Sequence, residues 1–324
     1  MAILKLKPEC KDYIWGGEKL RTDFGIESDL KPLAEAWVLS CHKDGPSTIV
    51  NGPDAGLTLP QYMEKHGKAV LGTNCERFED FPILTKFIDA KDNLSIQVHP
   101  SNEYALEHEG QYGKTEMWYV LDCEPGAYLY YGLKHRITEE EFRKRIRNQS
   151  ILEVCRRVPV KKGDVFYIPA GVLHAIGAGI TVAEIQQSSD VTYRVYDYNR
   201  ENARHEKREL HIDKAALVTG FMPPLAGHHP MGPRVQKNGY SRTLLVQCSY
   251  FVVQLYEIEE NLEGNTRESF LSLLILEGEG TFTGGGKRFR LSAGMSLWLP
   301  KGMDSFRIEG HIRMLASAPG MTEV

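Results

Sequence analysis

The sequence predicts a mainly β protein, a sandwich or barrel with a small helical insertion and a second β domain of related build. Three observations carry this. Short runs rich in Val, Ile, Tyr and Phe alternate with turns through most of the 324 residues. From residue 239 to 319 the runs return roughly every 8–12 residues, as in an all-β sandwich or barrel. Finally, the spacing of Gly163, Pro169 and Gly171 recurs in Gly294, Pro300 and Gly302, a shift of 131 residues. A single echo at that distance indicates a duplicated barrel unit, not a short solenoid repeat.

Taken in order, residues 1 to 52 alternate strand-like runs with turns, among them Ala34 to Ser40. Residues 59–71 have helical character, with Pro60 suited to a first turn. Phe81 to Ala90 reads as a buried strand, Ser95 to His99 as the next, and Pro100 ends it because proline cannot donate to a ladder. A short helix is expected over Glu103 to His108, then strands over Met117 to Leu121 and Ala127 to Gly132. Thr138 with Glu141 three residues on is a capping-box pattern and opens the clearest helix. A second helical stretch through Ile151, Leu152 and Cys155 extends the helical segment to about residue 157. Strands follow at Val165 to Pro169, Thr181 to Gln187 and Thr192 to Tyr198. Residues 199–238 are polar and rich in Pro and Gly, and read as an irregular linker. The expected division is therefore 1–237, with the helical segments, and 238–324.

Composition bounds the function. Charged residues are 25%, hydrophobic ones 42%, and the net charge is -4. That is ordinary for a soluble globular chain, and it lacks the basic excess of a nucleic-acid-binding surface. No apolar run approaches the ~20 residues of a membrane span, and the first residues do not read as a signal peptide. A cytoplasmic protein is expected. Six cysteines without CxxC pairs read as reduced, mostly buried thiols.

The chemistry concentrates in four residues. Gln97 and His99 stand two apart on a strand and so share a face. Glu116 opens the following strand, and His174 lies just after a Pro-x-Gly turn. Two imidazoles, a carboxylate and an amide form a mixed N/O set. It suits zinc or another first-row divalent ion and suits calcium poorly. Gln97 either ligates directly or orients a ligand. The second unit has Ser305 where His174 would fall and only one histidine, His311, so no metal is expected there.

Gln97-x-His99-Pro100, the run Gly113 to Tyr119 (GKTEMWY) and Pro169-x-Gly171-x-x-His174 resemble the cupins. With Trp15-Gly16-Gly17, Phe81 to Asp89 and Glu184 to Asp197, the chain resembles type I mannose-6-phosphate isomerases of the short bacterial kind over nearly its whole length. The resemblance implies a cupin jelly roll, the catalytic metal-binding domain at 1–237, and a degenerate cupin-like domain at 238–324. It implies interconversion of mannose 6-phosphate and fructose 6-phosphate with one zinc. It also implies that His99, Glu116 and His174 hold the metal and that Arg194 is a catalytic-site residue.

Aldose–ketose isomerisation moves a proton between C1 and C2 through an enediol. A Lewis acid and a fixed cation both stabilise the developing enediolate oxygen. Arg194, always charged, suits that role or the phosphate. Glu184 is a candidate base, beside a metal-bound hydroxide or a histidine. Lys114 suits a substrate-phosphate contact, against the bland reading of a solvated rim lysine. Trp118 and Tyr119 point to opposite faces, one into the core and one into the pocket. Two other readings share this ligand set: an iron dioxygenase, whose facial triad also has two His and a carboxylate, and a non-catalytic sugar-binding cupin.

Overall fold

The computed structural model describes residues 3–201, 205–225 and 227–320. Its strands form antiparallel sheets of ten, six and five. In the six-stranded sheet the order is Val165–Ile168, Glu116–Cys123, Ile180–Gln187, Ile83–Ala90, Glu35–Leu39 and Glu9–Lys11. In the five-stranded sheet it is Tyr193–Tyr196, Ile96–Val98, His174–Ala175, Tyr128–Leu133 and Cys155–Pro159.

The six-stranded sheet is covered on both faces, which is why Ile83–Ala90 and Ile180–Gln187 are buried at every residue. Phe87, Met117, Tyr119 and Ile185 pack toward Val253, Leu255, Leu315 and Trp298 of the ten-stranded sheet. Ile88, Trp118, Val120 and Val182 turn the other way, against Leu129 and Tyr131 of the five-stranded sheet and Ile176 just after one of its strands. A strand buried on both sides reads as a continuous apolar run instead of an alternating one. Trp118 therefore faces the inner cavity and Tyr119 the rear sheet.

The duplication is visible in the strand order. Ser296–Leu299, Leu271–Gly284, Phe306–Pro319, Phe251–Ile258 and Tyr240–Gln247 neighbour one another in the same sequence as the first five strands of the six-stranded sheet. The turns repeat too. Gly163, Gly171, Gly294 and Gly302 have φ of 93°, 87°, 83° and 100°, the left-handed region that glycine enters without a Cβ clash.

Three expectations change. Cys155 begins a strand, not the end of a helix: a 3-10 turn at Ile151–Glu153 stops short of it, because Cys155–Pro159 pairs with Tyr128–Leu133. The stretch 199–238 is not all linker. It holds the helix Ile212–Val218, which buries Ala215 and Ala216 and packs Ile212 and Val218 partly against the core, and the strand Arg234–Gln236. Residues 202–204 and 226 of that stretch lie outside the described residues. Strand pairing crosses the division at 237 and 238, since Arg234–Gln236 pairs with Tyr240–Gln247, Leu4–Lys7 pairs with Ser296–Leu299 and Gly72 bridges Ser269. The N-terminal strand thus covers an edge that would otherwise be open.

Other boundaries move by a residue or two, as with the helix Asn102–His108. Thr58 and Thr138 both cap their helices, accepting from Gln61 N–H and Glu141 N–H. Among the described residues, no helix is long and apolar enough to cross a membrane.

Candidate metal centre and adjoining cavity

The two front sheets meet at the predicted residues. Gln97, His99, His174 and Arg194 come from the five-stranded sheet or the residues just after its strands, and Glu116 and Glu184 from the six-stranded sheet. His99, His174 and Glu116 are almost completely buried. Their two Nε2 atoms stand 3.1 Å apart. His99 Nε2 is 3.4 Å from Glu116 Oε2, and His174 Nε2 is 3.2 Å from Oε1.

The tautomers follow from the outer nitrogens. His99 Nδ1 donates to the Val191 carbonyl and His174 Nδ1 to the Val172 carbonyl, each at 2.8 Å. In neutral rings both Nε2 atoms are then bare lone pairs. Two lone pairs cannot bond each other, and a cation between them removes the repulsion. Glu116 points the same way: neither of its buried oxygens makes a hydrogen bond among the described residues, and its neighbouring ammonium, Lys114, lies at Oε2, so Oε1, which faces the His174 ring, is left without a cation. Burial lowers the pKa of His99 to about 3 and also lowers that of His174, so the rings stay neutral. For Glu116 burial works upward, but the Lys114 ammonium opposes it and the carboxyl lies well below its usual range. The donor set fits a divalent ion.

Gln97 is paired in register with His174, its amide nitrogen 3.4 Å from His174 Nε2. Rotated half a turn, the amide presents its oxygen to the same point.

Beside this centre lies a cavity of about 210 Å³, lined in part by Gln97, Lys114, Trp118, Glu184 and Arg194. Lys114 is not a solvated rim residue. It is buried, with Nζ 3.2 Å from Glu116 Oε2. Glu184 Oε1 accepts from Trp118 Nε1 at 2.9 Å, and burial raises its pKa. Arg194 Nη1 donates to the Glu209 carbonyl at 3.0 Å, while its buried Nε has no hydrogen-bond partner among the described residues. Burial and the nearby Arg208 disfavour the charge of Arg194, the condition of a cation awaiting an anion.

Sequence reasoning missed Lys86. It is buried, with Nζ 3.2 Å from Glu184 Oε2 and 3.6 Å from Glu35 Oε2. Burial opposes its charge, but Glu35 and Glu184 outweigh that and raise its pKa. Glu35 is further held by Trp37 Nε1 at 2.7 Å. The signal was a lone lysine inside the apolar run Phe81 to Ala90, because a buried charge needs a partner. Lys86→Met leaves two buried carboxylates facing each other. The expected cost is about 3 kcal/mol, read as a lower urea midpoint with unchanged slope.

Comparison with known proteins agrees with this geometry. Residues 3–123 match the family described as phosphomannose isomerase type I, catalytic domain, and residues 241–319 the mannose-6-phosphate isomerase cupin domain. The mannose-6-phosphate isomerase of Streptococcus mutans is 38% identical, over 97% of each chain. The probable mannose-6-phosphate isomerase GmuF of Bacillus subtilis is 40% identical, over 98% of this chain and 99% of that one. The crystal structure of a mannose 6-phosphate isomerase from Bacillus subtilis superposes with a TM-score of 0.91 at 36% identity, covering 98% and 99% of the two chains. Matched along nearly its full length to relatives of its own size, the chain belongs to the type I mannose-6-phosphate isomerase family.

Proposed function

We propose that this chain interconverts mannose 6-phosphate and fructose 6-phosphate, with one zinc ion held by His99, Glu116 and His174 and with Gln97 as a fourth ligand through its amide oxygen. The observation that carries this is the pair of facing Nε2 lone pairs beside a buried carboxylate whose Oε1 faces them without a hydrogen bond, opening onto a polar cavity. The ion supplies Lewis-acid stabilisation of the enediolate oxygen.

The side chains do the rest. Glu184, its basicity raised by burial, takes and returns the proton shared by C1 and C2. Lys86 keeps that carboxylate in place. Arg194 meets the developing oxyanion or the phosphate with its fixed charge. Lys114, already bound to Glu116, faces the cavity as a second cation and contacts the substrate. Residues 1–237 supply every group in this scheme; 238–324 form the degenerate partner domain, with Ser305 where His174 would stand. All six cysteines are free, which supports a reducing, cytoplasmic setting.

The test is turnover of mannose 6-phosphate beside free mannose, in zinc-loaded protein without dioxygen. Fructose 6-phosphate should form, and kcat/KM for free mannose should be lower by about a hundredfold or more, since phosphate binding energy serves the reacting end. Absence of turnover on the phosphorylated sugar, or a requirement for dioxygen, would overturn the reading.

A further inference from the structure

The duplication lets residues of the catalytic cavity be matched to positions in the C-terminal unit. At the shift of 131 residues, Phe166 corresponds to Leu297 and Ile168 to Leu299. Strand register carries the match across the sheets. Trp118 pairs with Phe166 as Leu273 does with Leu297, and Glu116 pairs with Ile168 as Leu271 does with Leu299. Glu184 pairs with Trp118 as Ala316 does with Leu273. Lys86 pairs with Glu184 as Gln254 does with Ala316. Two residues along these strands stand Ile88 and Tyr256, paired with Glu35 and Arg242.

The position of the metal-binding carboxylate is thus Leu271, that of Glu184 is Ala316, and that of Lys86 is Gln254. The position of Glu35 has reversed its charge, to Arg242. Yet the space is not filled, although protein interiors are normally close-packed. Arg242, Gln254, Tyr256, Leu271, Leu273 and Ala316 all line one cavity, of about 330 Å³ against about 210 Å³ in the catalytic unit. All but Leu271 correspond to residues lining the catalytic cavity.

The two ends of this second cavity differ. Its floor is apolar: Leu273 and Met314 are fully buried, Leu262 and Phe306 nearly so. A sugar ring would find no hydroxyl partners among those side chains. Its rim is polar. Tyr256 Oη donates to Gln254 Oε1 at 2.7 Å, and the Arg242 guanidinium lies beside the same hydroxyl. Glu263, the carboxylate among the lining residues, is taken by Arg307 at 3.3 Å, and Arg242 forms no ion pair among the described residues.

We infer that the C-terminal unit is a second small-molecule site, taking an organic monocarboxylate with an apolar body. The carboxylate meets Arg242 and the Gln254 amide N–H groups, and the hydrocarbon lies on Leu271, Leu273 and Met314. One planar guanidinium suits one carboxylate, whereas the catalytic cavity sets two cations, Lys114 and Arg194, at its substrate. The volume lies within the range of ligand pockets. The inference does not depend on the isomerase reading.

The test is ligand-observed NMR titration of metal-loaded, full-length protein with hexanoate, with and without saturating fructose 6-phosphate. Hexanoate should bind in the millimolar range or tighter, with the sugar phosphate present or absent. Acetate lacks the apolar body and hexanol the charge, so each should bind about tenfold more weakly or worse. Arg242→Leu should weaken hexanoate by about tenfold or more, and Arg242→Lys by less. Ala316→Leu should do so as well, by setting a side chain of about the size of Glu184 at the matching position. Absence of hexanoate binding, its displacement by fructose 6-phosphate, or wild-type affinity in Arg242→Leu overturns the assignment. A second equivalent of fructose 6-phosphate that is lost in Arg242→Leu overturns the ligand class. Where Ala316→Leu does not fold, Arg242→Leu, at an exposed position, decides alone, and it does so whether or not the sugar phosphate binds.

Discussion

His174→Ala is expected to release the bound metal and to lower kcat by a factor of 10³ or more. The ring supplies one of two facing Nε2 lone pairs, and its Nδ1–H is anchored on Val172, so no neighbouring nitrogen can replace it. A Lewis acid is worth several kcal/mol at a developing enediolate, and about 4 kcal/mol corresponds to that factor. His99→Ala should behave alike, as the second half of the same pair. Metal analysis together with kcat checks both. A chelator should reproduce the loss in the wild-type chain, and added zinc should reverse it there but not in the variants. Full activity in metal-free protein would end the zinc proposal.

Arg194→Ala should separate chemistry from metal binding. Metal content should remain at the wild-type level, because Arg194 Nη1 bonds the Glu209 carbonyl and none of the three metal-binding candidates. Turnover should fall by about 10²–10³, the usual loss when one oxyanion donor is removed. The fold should tolerate the change. The lost bond to Glu209 is worth about 1 kcal/mol, and the buried, unpartnered Nε disappears with it. Arg194→Lys should recover only part of the rate, since an ammonium lacks the planar donor fork. A variant turning over at the normal rate would remove Arg194 from the mechanism.

The three metal-binding candidates were legible for local reasons. A strand puts residues two apart on one face, and a proline after His99 ends that strand at the site. His174 follows a turn whose Gly171 needs a left-handed φ. The duplicated Gly-Pro-Gly spacing was legible on the same ground, and the matching strand order bears it out. Lys86 and Lys114 were harder. Lys86 is a polar residue whose meaning depends on a partner far along the chain, Glu184. Lys114 lies two residues from Glu116, yet nothing local to it announces burial.

By itself the sequence determined a mainly β protein with a duplicated unit, three residues able to hold a metal, and which copy carries them. Those properties follow from periodicity, turn stereochemistry and residue chemistry, which act over a few bonds. Only the tertiary structure decided that the central sheet is covered on both faces and that the N-terminal strand joins the C-terminal sheet. The same holds for the facing of the two imidazoles, since the carbonyl that holds the His99 proton, Val191, is remote in sequence, although the one that holds the His174 proton, Val172, is near. Sheet stacking and buried-charge pairing join residues far apart in sequence, and no local pattern encodes that partner choice.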